Sequence, residues 1–537
     1  MGVIVFTVMY DVAIIGLGPV GCTAAILLAE AGLKVAAIEQ EPEIYTLPRA
    51  VNLDGEIIRA MQKVGRGQTV QDLMQPLRPG DRAGFANSRR EWLFGSESRA
   101  FGRNGWQPMN MFDQPELENY LREQATSHAN VTAFIGYAAS HIDNQPTHVE
   151  LTFHATGDSV TQTLQAHYLI GCDGAASHTR KTFDIGWVDL GYNHDWLVVD
   201  VITHDGHTLT NDTLQVCDPD RIHTYVCTKD PYRRWEFKLK PGETAEQMLD
   251  EDMIQSLIDP WTPRGTYTIR RAAVYQFHAA NAERWRVGRV FIAGDAAHQT
   301  PPFLGQGMNT GMRDVINLSW KLKLVLAGLA DPTLLDSYYA ERAAHAHDLV
   351  DWAVSIGQLM EHTAEQERCA RAGLPEPPTP PQLQSSGYGQ GREQPPLRDG
   401  VVMLEQITER SSVGCLFTQP IVRGPGLTDD TRLDDLLGPG FAVVSIRPDV
   451  DQQLDAHARA VLAQLDARVV SLDGLQLVQG RFDPLFKTTD TVIVRPDALV
   501  FGHTSEAYAL HELIHTLGRK LDLRLPHDAT TTTGETP

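Results

Sequence analysis

Three kinds of hydrophobic pattern follow one another along the chain. Asp11–Ile15 is a short apolar run that leads through glycines into a helix-like stretch, Cys22–Ala31, and then into a second apolar run, Lys34–Glu39. Continuous apolar strands joined by a helix predict a βαβ unit over residues 11–39, with parallel strands covered on both faces. From Trp196 to Phe277 the period becomes two, clearest in Arg233-Arg234-Trp235-Glu236-Phe237-Lys238-Leu239. That alternation predicts an antiparallel sheet with one covered face, placing Arg233, Trp235, Phe237 and Leu239 on one side and Arg234, Glu236 and Lys238 on the other. Strand-then-helix pattern returns at Val290–Ala293 and continues through a helical region, about Gly307–Met360. The first and third segments are expected to form one discontinuous domain with the sheet inserted between them.

The pattern breaks between Ala372 and Gly400, where 29 residues hold seven prolines and five glycines. Such a stretch predicts a linker. Beyond it, strands are expected at Phe441–Ile446, Arg468–Leu472, Thr491–Val494 and Leu499–Phe501, then a helix near Glu506–Lys520. This order suggests a small thioredoxin-like α/β unit, redox-inert because it has no C-x-x-C. No repeat of 20–50 residues is visible.

Composition narrows the field. At 537 residues the chain has room for about three domains. Lys and Arg total 46 against 68 Asp and Glu, a formal net charge of −22, which argues against nucleic acid as a partner. No run of 18 apolar residues occurs, so no membrane partner is expected. Met1–Tyr10 is apolar but lacks a basic start and a small-residue cleavage site, unlike a signal peptide. Six dispersed cysteines (Cys22, Cys172, Cys217, Cys227, Cys369, Cys415) fit reduced thiols and a cytoplasmic location better than a disulfide scaffold or zinc ribbon.

Three motifs carry chemistry. Val12–Ile15 runs into Gly16-Leu17-Gly18-Pro19-Val20-Gly21, a G-x-G-x-x-G with a strand before it and a helix after it. Gly16 permits the tight turn, Gly18 lets a pyrophosphate approach the backbone, and Gly21 lets helix pack on strand. Glu39, 23 residues past Gly16, stands where a carboxylate binds a ribose 2′-hydroxyl. The second motif is Gly294-Asp295-Ala296-Ala297-His298, continuing through Gly305-Gln306-Gly307-Met308-Asn309 into a helix. The third is Gly171-Cys172-Asp173-Gly174, with Arg180 following. A single aspartate at a strand end is usually a cap or turn former; two such motifs behind a βαβ fingerprint are more specific.

With these three motifs the chain resembles the single-component, FAD-dependent aromatic hydroxylases, the p-hydroxybenzoate/phenol hydroxylase family. Pro48-Arg49-Ala50, Asp113-Gln114-Pro115 and Tyr338-x-x-Glu341-Arg342 also fit that family's pattern, and the segment Arg233–Phe237 followed by Pro241-Gly242-Glu243 is similar to its 3-(3-hydroxyphenyl)propionate hydroxylase branch. The resemblance implies an α/β fold class: a discontinuous Rossmann-like FAD domain (1–180 and 281–371), an inserted antiparallel-sheet substrate domain (181–280), a linker (372–400), a C-terminal thioredoxin-like domain without C-x-x-C (401–525) and a tail (526–537).

It also implies site roles. Gly16, Gly18 and Gly21 would cradle the pyrophosphate and Glu39 the adenosine ribose, while Arg49 and Gln114 would contact the phosphates and ribityl region. Asp295 would accept from the ribityl chain, and Gly307, Met308 and Asn309 would offer backbone groups to the isoalloxazine ring. A helix starting near Gly307 would also aim its positive end at the flavin edge that becomes anionic on reduction. Asp173 falls in the motif associated with both FAD and the nicotinamide donor. No second G-x-G-x-x-G follows a strand, which disfavours a separate Rossmann domain for the nicotinamide; the resemblance implies that NADH or NADPH visits a surface groove instead.

A phenol pocket needs apolar walls and a few placed polar groups. Tyr225, Trp235 and His298 are candidates, with Pro302 above the flavin and Arg233 or Arg234 as a cationic anchor; in the alternative, Trp235 and Phe237 are core and the arginines solvated. His511-Glu512-Leu513-Ile514-His515 matches H-E-x-x-H, but the third metzincin histidine is replaced by Leu521. The apolar stripe Leu510, Leu513, Ile514, Leu517 leaves both histidines on its solvent flank, so no metal is expected.

The expected function is an FAD-dependent monooxygenase that uses NAD(P)H and O₂ to hydroxylate a phenolic acid ortho to its hydroxyl, as a homodimer. The flavin carries the chemistry and no protein nucleophile is named. The alternatives are a flavin monooxygenase for a polycyclic or heteroaromatic substrate, a non-catalytic FAD module and, most distantly, a zinc peptidase through His511 and His515.

Overall fold

Strands without a polar face are stable only inside a sheet covered on both sides, and the chain uses them that way. In the computed structural model, which describes residues 4–98, 101–379, 394–408 and 411–525, strand Ile4–Ile15 lies between Thr161–Gly171 and Val35–Glu39, parallel to both. Val290–Ile292 and Val131–Ile135 extend the sheet at either side, also in parallel. Helices Pro19–Glu30 and Gly307–Leu326 cover one face, burying Ile26, Leu28, Val315 and Leu318 against Val12 and Ile14. The antiparallel pair Tyr137–Asn144 and Val149–Ala155 closes the other with Leu151 and Phe153. The discontinuous βαβ reading matches this sheet, to which residues 290–292 return after the insertion.

The second sheet also has eight strands. Tyr267–Ala282, Trp187–Thr203, Tyr232–Lys238, His223–Cys227 and Thr213–Cys217 follow one another in antiparallel order. Here the expected boundary needs correction. Arg82–Asn87 and Trp92–Glu97, assigned from sequence to the first domain, form the far edge of this sheet, and Arg82–Asn87 pairs with Thr213–Cys217 in parallel. The alternation signal fails there because Gly84 and Gly95 face each other across the hairpin with the Trp92 ring laid over both. A Cβ on either would come within 2.7 Å of that ring.

One face of the second sheet is oily: Leu197, Val199, Leu214, Val216, Tyr225, Trp235 and Phe237 are buried under helices Ala245–Met248 and Glu251–Ile258. Its other face looks back toward the first sheet across a cavity. The 36-residue helix Ser337–Ala372 runs beside both layers and contributes Trp352 and Ile356 to the cavity wall.

After the linker, whose residues 380–393 lie outside the described part, a four-stranded sheet orders Arg468–Ser471, Ala442–Ser445, Thr491–Val494 and Val500–His503. The first pair is parallel and the others antiparallel. Helices Ala456–Gln464 and Leu510–Lys520 pack on it, the latter through Leu510, Leu513, Ile514 and Leu517. A small three-stranded sheet, Ile421–Arg423, Thr431–Arg432 and Gln476–Gln479, was not expected from the pattern. Trp320, Leu324 and Leu334 of the first domain share the core of this region. The tail, 526–537, lies outside the described residues. Among the described residues no helix is long and apolar enough to cross a membrane.

Candidate active site

The three glycines of the first motif separate by what surrounds them. Gly16 has φ +93°, and a Cβ there would sit 2.5 Å from the Cys172 carbonyl oxygen. At Gly21 a Cβ would meet the Gly16 oxygen at 1.9 Å. Both glycines let backbones close on each other. Gly18 has nothing within 4 Å of its Cβ position and opens on the cavity. It is also the N-cap of helix Pro19–Glu30 and supplies no side-chain cap, so the first-turn N–H groups are left facing that space. Glu39 closes the loop from behind: one carboxylate oxygen accepts Leu17 N–H at 2.6 Å and the other Glu41 N–H at 2.8 Å.

Pro48-Arg49-Ala50 is clamped from two sides. The Gln114 Oε1 accepts the Arg49 and Ala50 amides at 2.8 and 2.7 Å. From the second sheet, Arg234 donates to the Arg49 and Pro48 carbonyls at 2.6 and 3.0 Å, and Arg271 donates to Pro48 as well. Arg49 itself lines the cavity, its guanidinium over the Tyr45 ring.

Asp295 sits in the turn Gly294–Ala296 with its carboxyl on the cavity, and no described residue donates to it. Protein on every other side raises its pKa by desolvation, against the pull of His298 and Arg49. His298 does not line the cavity, which corrects its pocket assignment. Its ring is buried and its Nε2 lies 2.8 Å from Asp314, which also accepts Gly294 N–H at 3.0 Å and Arg342 Nε at 3.0 Å. Asp314, on the following helix, thus fastens the Asp295 turn. The sequence reading did not single it out because its partners come from two other elements.

Gly307 and Met308 line the cavity at the start of helix Gly307–Leu326. Asn309 is turned away: its side chain accepts Asp54 N–H at 2.9 Å and donates to the Asn52 and Gly305 carbonyls, pinning the helix to strand Asn52–Asp54. Asp173 also differs from expectation. Its carboxylate accepts from Ser177 Oγ, Thr179 N and Thr179 Oγ1 at 2.6–2.9 Å, bracing the start of helix His178–Thr182 behind its N-cap Ser177, while its neighbours Cys172 and Gly174 face the cavity.

The cavity has a volume of about 990 Å³ and runs from Gly18 to the second sheet. Arg234 and Trp235 are adjacent on one strand and face opposite ways; only Arg234 reaches it. Tyr225 and Trp235 are fully buried on the oily face, Tyr225 stacked on Trp261 with its hydroxyl donated to Thr210 O at 2.8 Å. Their assignment to a pocket is therefore corrected to the core beneath it. Arg233 is on that face too, paired with Asp230. Arg234 is not a free anchor, since it holds Asp200 through two contacts of 2.7 and 3.1 Å besides the two carbonyls. Pro302 lines the cavity.

Lining residues that the sequence reading passed over form one register row across the sheet: Phe85, Gln215, Thr224, Glu236 and Val198. Thr224 Oγ1 donates to Gln215 Oε1 at 2.6 Å, and Gln215 Nε2 donates to Phe303 O at 3.2 Å. The row is thereby tied to the turn Pro302–Leu304 that follows the Asp295 motif. Period-two alternation gives the face, but no local signal gives the pairing.

The H-E-x-x-H segment is otherwise engaged. Glu512 accepts the Ala509 amide at 3.0 Å as a helix cap, and His515 Nε2 lies 3.0 Å from Asp455. No group of three or more metal-type ligands is assembled among the described residues.

Comparison with known proteins adds to this geometry. The FAD binding domain family matches residues 9–353, and the HcaD C-terminal domain matches 414–520. The 3-(3-hydroxy-phenyl)propionate/3-hydroxycinnamic acid hydroxylase of Escherichia coli (strain K12) is 32% identical over 447 residues, 81% of this chain and 77% of that one. The protein of the same name from Shigella sonnei (strain Ss046) is 31% identical over the same shares. The fold is similar to that of aklavinone-11 hydroxylase, solved with FAD and aklavinone, with a TM-score of 0.76 at 23% identity, covering 96% of this chain and all of that one. It is also similar to the flavin-dependent monooxygenase PieE, with a TM-score of 0.75 at 19% identity, covering 96% and 99%. A glycine loop open only at Gly18, a carboxyl without a donor at Asp295 and a matched FAD-binding region leave one conclusion: the chain belongs to the FAD-dependent aromatic hydroxylases, flavin monooxygenases that take electrons from NAD(P)H.

Proposed function

We propose that the protein hydroxylates a phenolic acid of the 3-(3-hydroxyphenyl)propionate type, ortho to its ring hydroxyl. The observation that carries this reading is the similarity to the Escherichia coli hydroxylase over four-fifths of the chain. The cavity supports it. Its sheet side combines Phe85, Val198, Val226 and Phe277 with a few fixed polar groups, the composition a small phenol requires.

In this reading Gly18 and the free first-turn amides hold the pyrophosphate, Arg49 adds a cation beside it, and Gln114 keeps the Arg49 loop in place. Glu39, whose two oxygens each still have a lone pair, holds the adenosine ribose. Asp295 accepts from the ribityl chain, and the helix beginning at Gly307 presents its amides and positive end to the ring. Bound FAD, reduced by NAD(P)H, supplies the redox and oxygen-transfer chemistry. The protein's part is to orient the phenol, exclude water and manage its proton.

We further infer that the post-linker region, thioredoxin-like in strand order, serves association as a homodimer and carries no electrons. Cys415 is the one cysteine of this region, so no second thiol stands at redox-motif spacing; in the second sheet, burial raises the thiol pKa of Cys227 to about 11 and of Cys217 to about 12.

The test is a screen of simple phenols and heteroaromatics for stimulated NAD(P)H oxidation under ¹⁸O₂. 3-(3-Hydroxyphenyl)propionate should raise the rate well above the substrate-free one and yield a catechol carrying one labelled oxygen. Stimulation without label would mean an uncoupled effector; no response to any simple phenol would shift the assignment to a polycyclic or heteroaromatic substrate.

A further inference from the structure

Two carboxyl groups line the cavity, Asp295 on the flavin loop and Glu236 on the second sheet. Glu236 differs from every polar neighbour in its row. Gln215 and Thr224 satisfy each other and the Phe303 carbonyl. Asp200, one strand away, is spent on Arg234 and faces Arg271 at 3.6 Å. Glu236 is only 4% exposed, yet no described residue donates a hydrogen bond to it. Among the described residues its one ion-pair contact is Arg234 at 3.8 Å, a cation already committed to Asp200 and two backbone carbonyls.

A buried carboxyl left without a donor is costly, and such groups are ordinarily paired. Here the unpaired oxygens face the one space where a donor can arrive. We propose that Glu236 recognises the ring hydroxyl of the substrate, accepting its hydrogen bond and then its proton. This rests on the phenol reading above. In the step the phenolic O–H bond breaks and an O–H bond forms on the Glu236 carboxylate. The electron pair stays on the ring oxygen, which activates the ortho and para carbons toward an electrophilic oxygen. No electrons are exchanged with the protein.

The surroundings suit the task. Burial lifts the Glu236 carboxyl to about 7, with Asp200 adding to the rise, while Arg234 and Arg271 oppose it. Tyr192, whose phenol burial and Glu236 itself keep protonated, is within electrostatic reach; Arg49 and His278 line the same cavity, as do the neutral Thr224 and Gln215 on the neighbouring strands and Trp352 and Ile356 on the long helix. Lys238, two residues along, is committed to Glu361. A raised folded pKa means that the group is protonated, and unable to take the phenol's proton, below about 7 and ionised above it. A base poised near the working pH combines availability with driving force. An ionised Glu236 also repels a substrate carboxylate, so the acidic side chain must point away from this wall.

The experiment compares the wild-type holoenzyme with Glu236→Gln and Glu236→Leu, after FAD content has been measured for each. Stimulated turnover with 3-(3-hydroxyphenyl)propionate is followed across pH, and binding of that acid and of 3-phenylpropionate is read from the absorbance of bound flavin. Wild type should lose kcat/KM as pH falls through about 7. Glu236→Gln should keep KM within about threefold, since its amide oxygen still accepts, but lose about 100-fold in kcat and the acid limb with it. The loss should shrink for ring-fluorinated phenols, which release their proton more readily. Glu236→Leu should no longer prefer the hydroxylated acid to its des-hydroxy analogue. Wild-type kcat and an unchanged acid limb in Glu236→Gln would overturn the proposal, as would loss of FAD from both variants, which would make the role structural. A wild type that no phenol stimulates sinks the phenol reading itself, and this proposal with it, before any variant is compared.

Discussion

Arg59 and Asp434, 375 residues apart in the chain, meet in a two-pronged ion pair, Nε to Oδ2 at 2.7 Å and Nη2 to Oδ1 at 2.6 Å. Both side chains are 1% exposed. Asp434 belongs to the post-linker region and Arg59 to helix Gly55–Gln62 beside the first sheet, so the pair staples one to the other. A second buried staple joins Glu341 to Arg495 and to the Val401 amide. Removing one member of such a pair strands a charge in a place without water. Asp434→Ala should therefore cost about 3–5 kcal/mol, whereas Arg59→Met with Asp434→Leu should recover much of it. Chemical denaturation of the single and double variants checks this; equal losses in both would contradict it.

The same staples set an acid limit. Arg59 and Lys63 hold the Asp434 carboxyl below the usual carboxylate range, and Arg495 and Lys321 hold Glu341 far below it, in each case against burial. A depressed folded pKa contributes stability that is complete above the unfolded value, about 4, and is lost as pH falls toward the folded one. Hydrogen exchange in 411–525 should accelerate below about pH 4 before the first sheet does. Uniform protection in both down to pH 2 would argue against the staples.

Gly18→Ala and Gly21→Ala should fail in different ways. Alanine at Gly18 meets nothing in the protein, and its φ of −69° suits any residue, so the apoprotein should fold and bind FAD weakly. Alanine at Gly21 would clash with Gly16 O and should destabilise the fold itself. Circular dichroism melts of both apoproteins, set beside FAD titrations, separate the two outcomes.

Asp295→Ala should lower FAD affinity by roughly 1–3 kcal/mol, the cost of leaving a ligand hydroxyl without its acceptor. Folding should be spared, because no described residue depends on that carboxyl. Flavin fluorescence on dilution measures the loss; full retention of FAD would remove Asp295 from the site.

What was legible in the chain follows from how far apart cause and effect lie. Gly16 and Gly21 let backbones close on each other, and Gly18 and Asp295 face the cavity from turns only a few residues long, so their placement shows in spacing. Tyr225 and Trp235 misled because an aromatic residue suits a pocket and a core equally. The covering helices 245–258 took the oily face and left the other one toward the cavity. Gln215, Thr224 and Glu236 become neighbours only through strand register, which alternation does not encode. His298 and Asp173 stand inside recognisable motifs, yet their side chains serve the turns that present the site and do not touch the cavity.

The hairpin 82–97 makes the substrate sheet a poor candidate for module exchange. Its strands leave the first domain, complete the sheet edge beside Thr213–Cys217 and return before Met109–Met111. A chimera that swaps only 187–282 for the matching stretch of another hydroxylase would inherit a parallel seam at Ala83–Asn87 evolved for a different partner strand. Transplanted specificity would have to travel as two separate pieces of chain, joined by nothing but that seam.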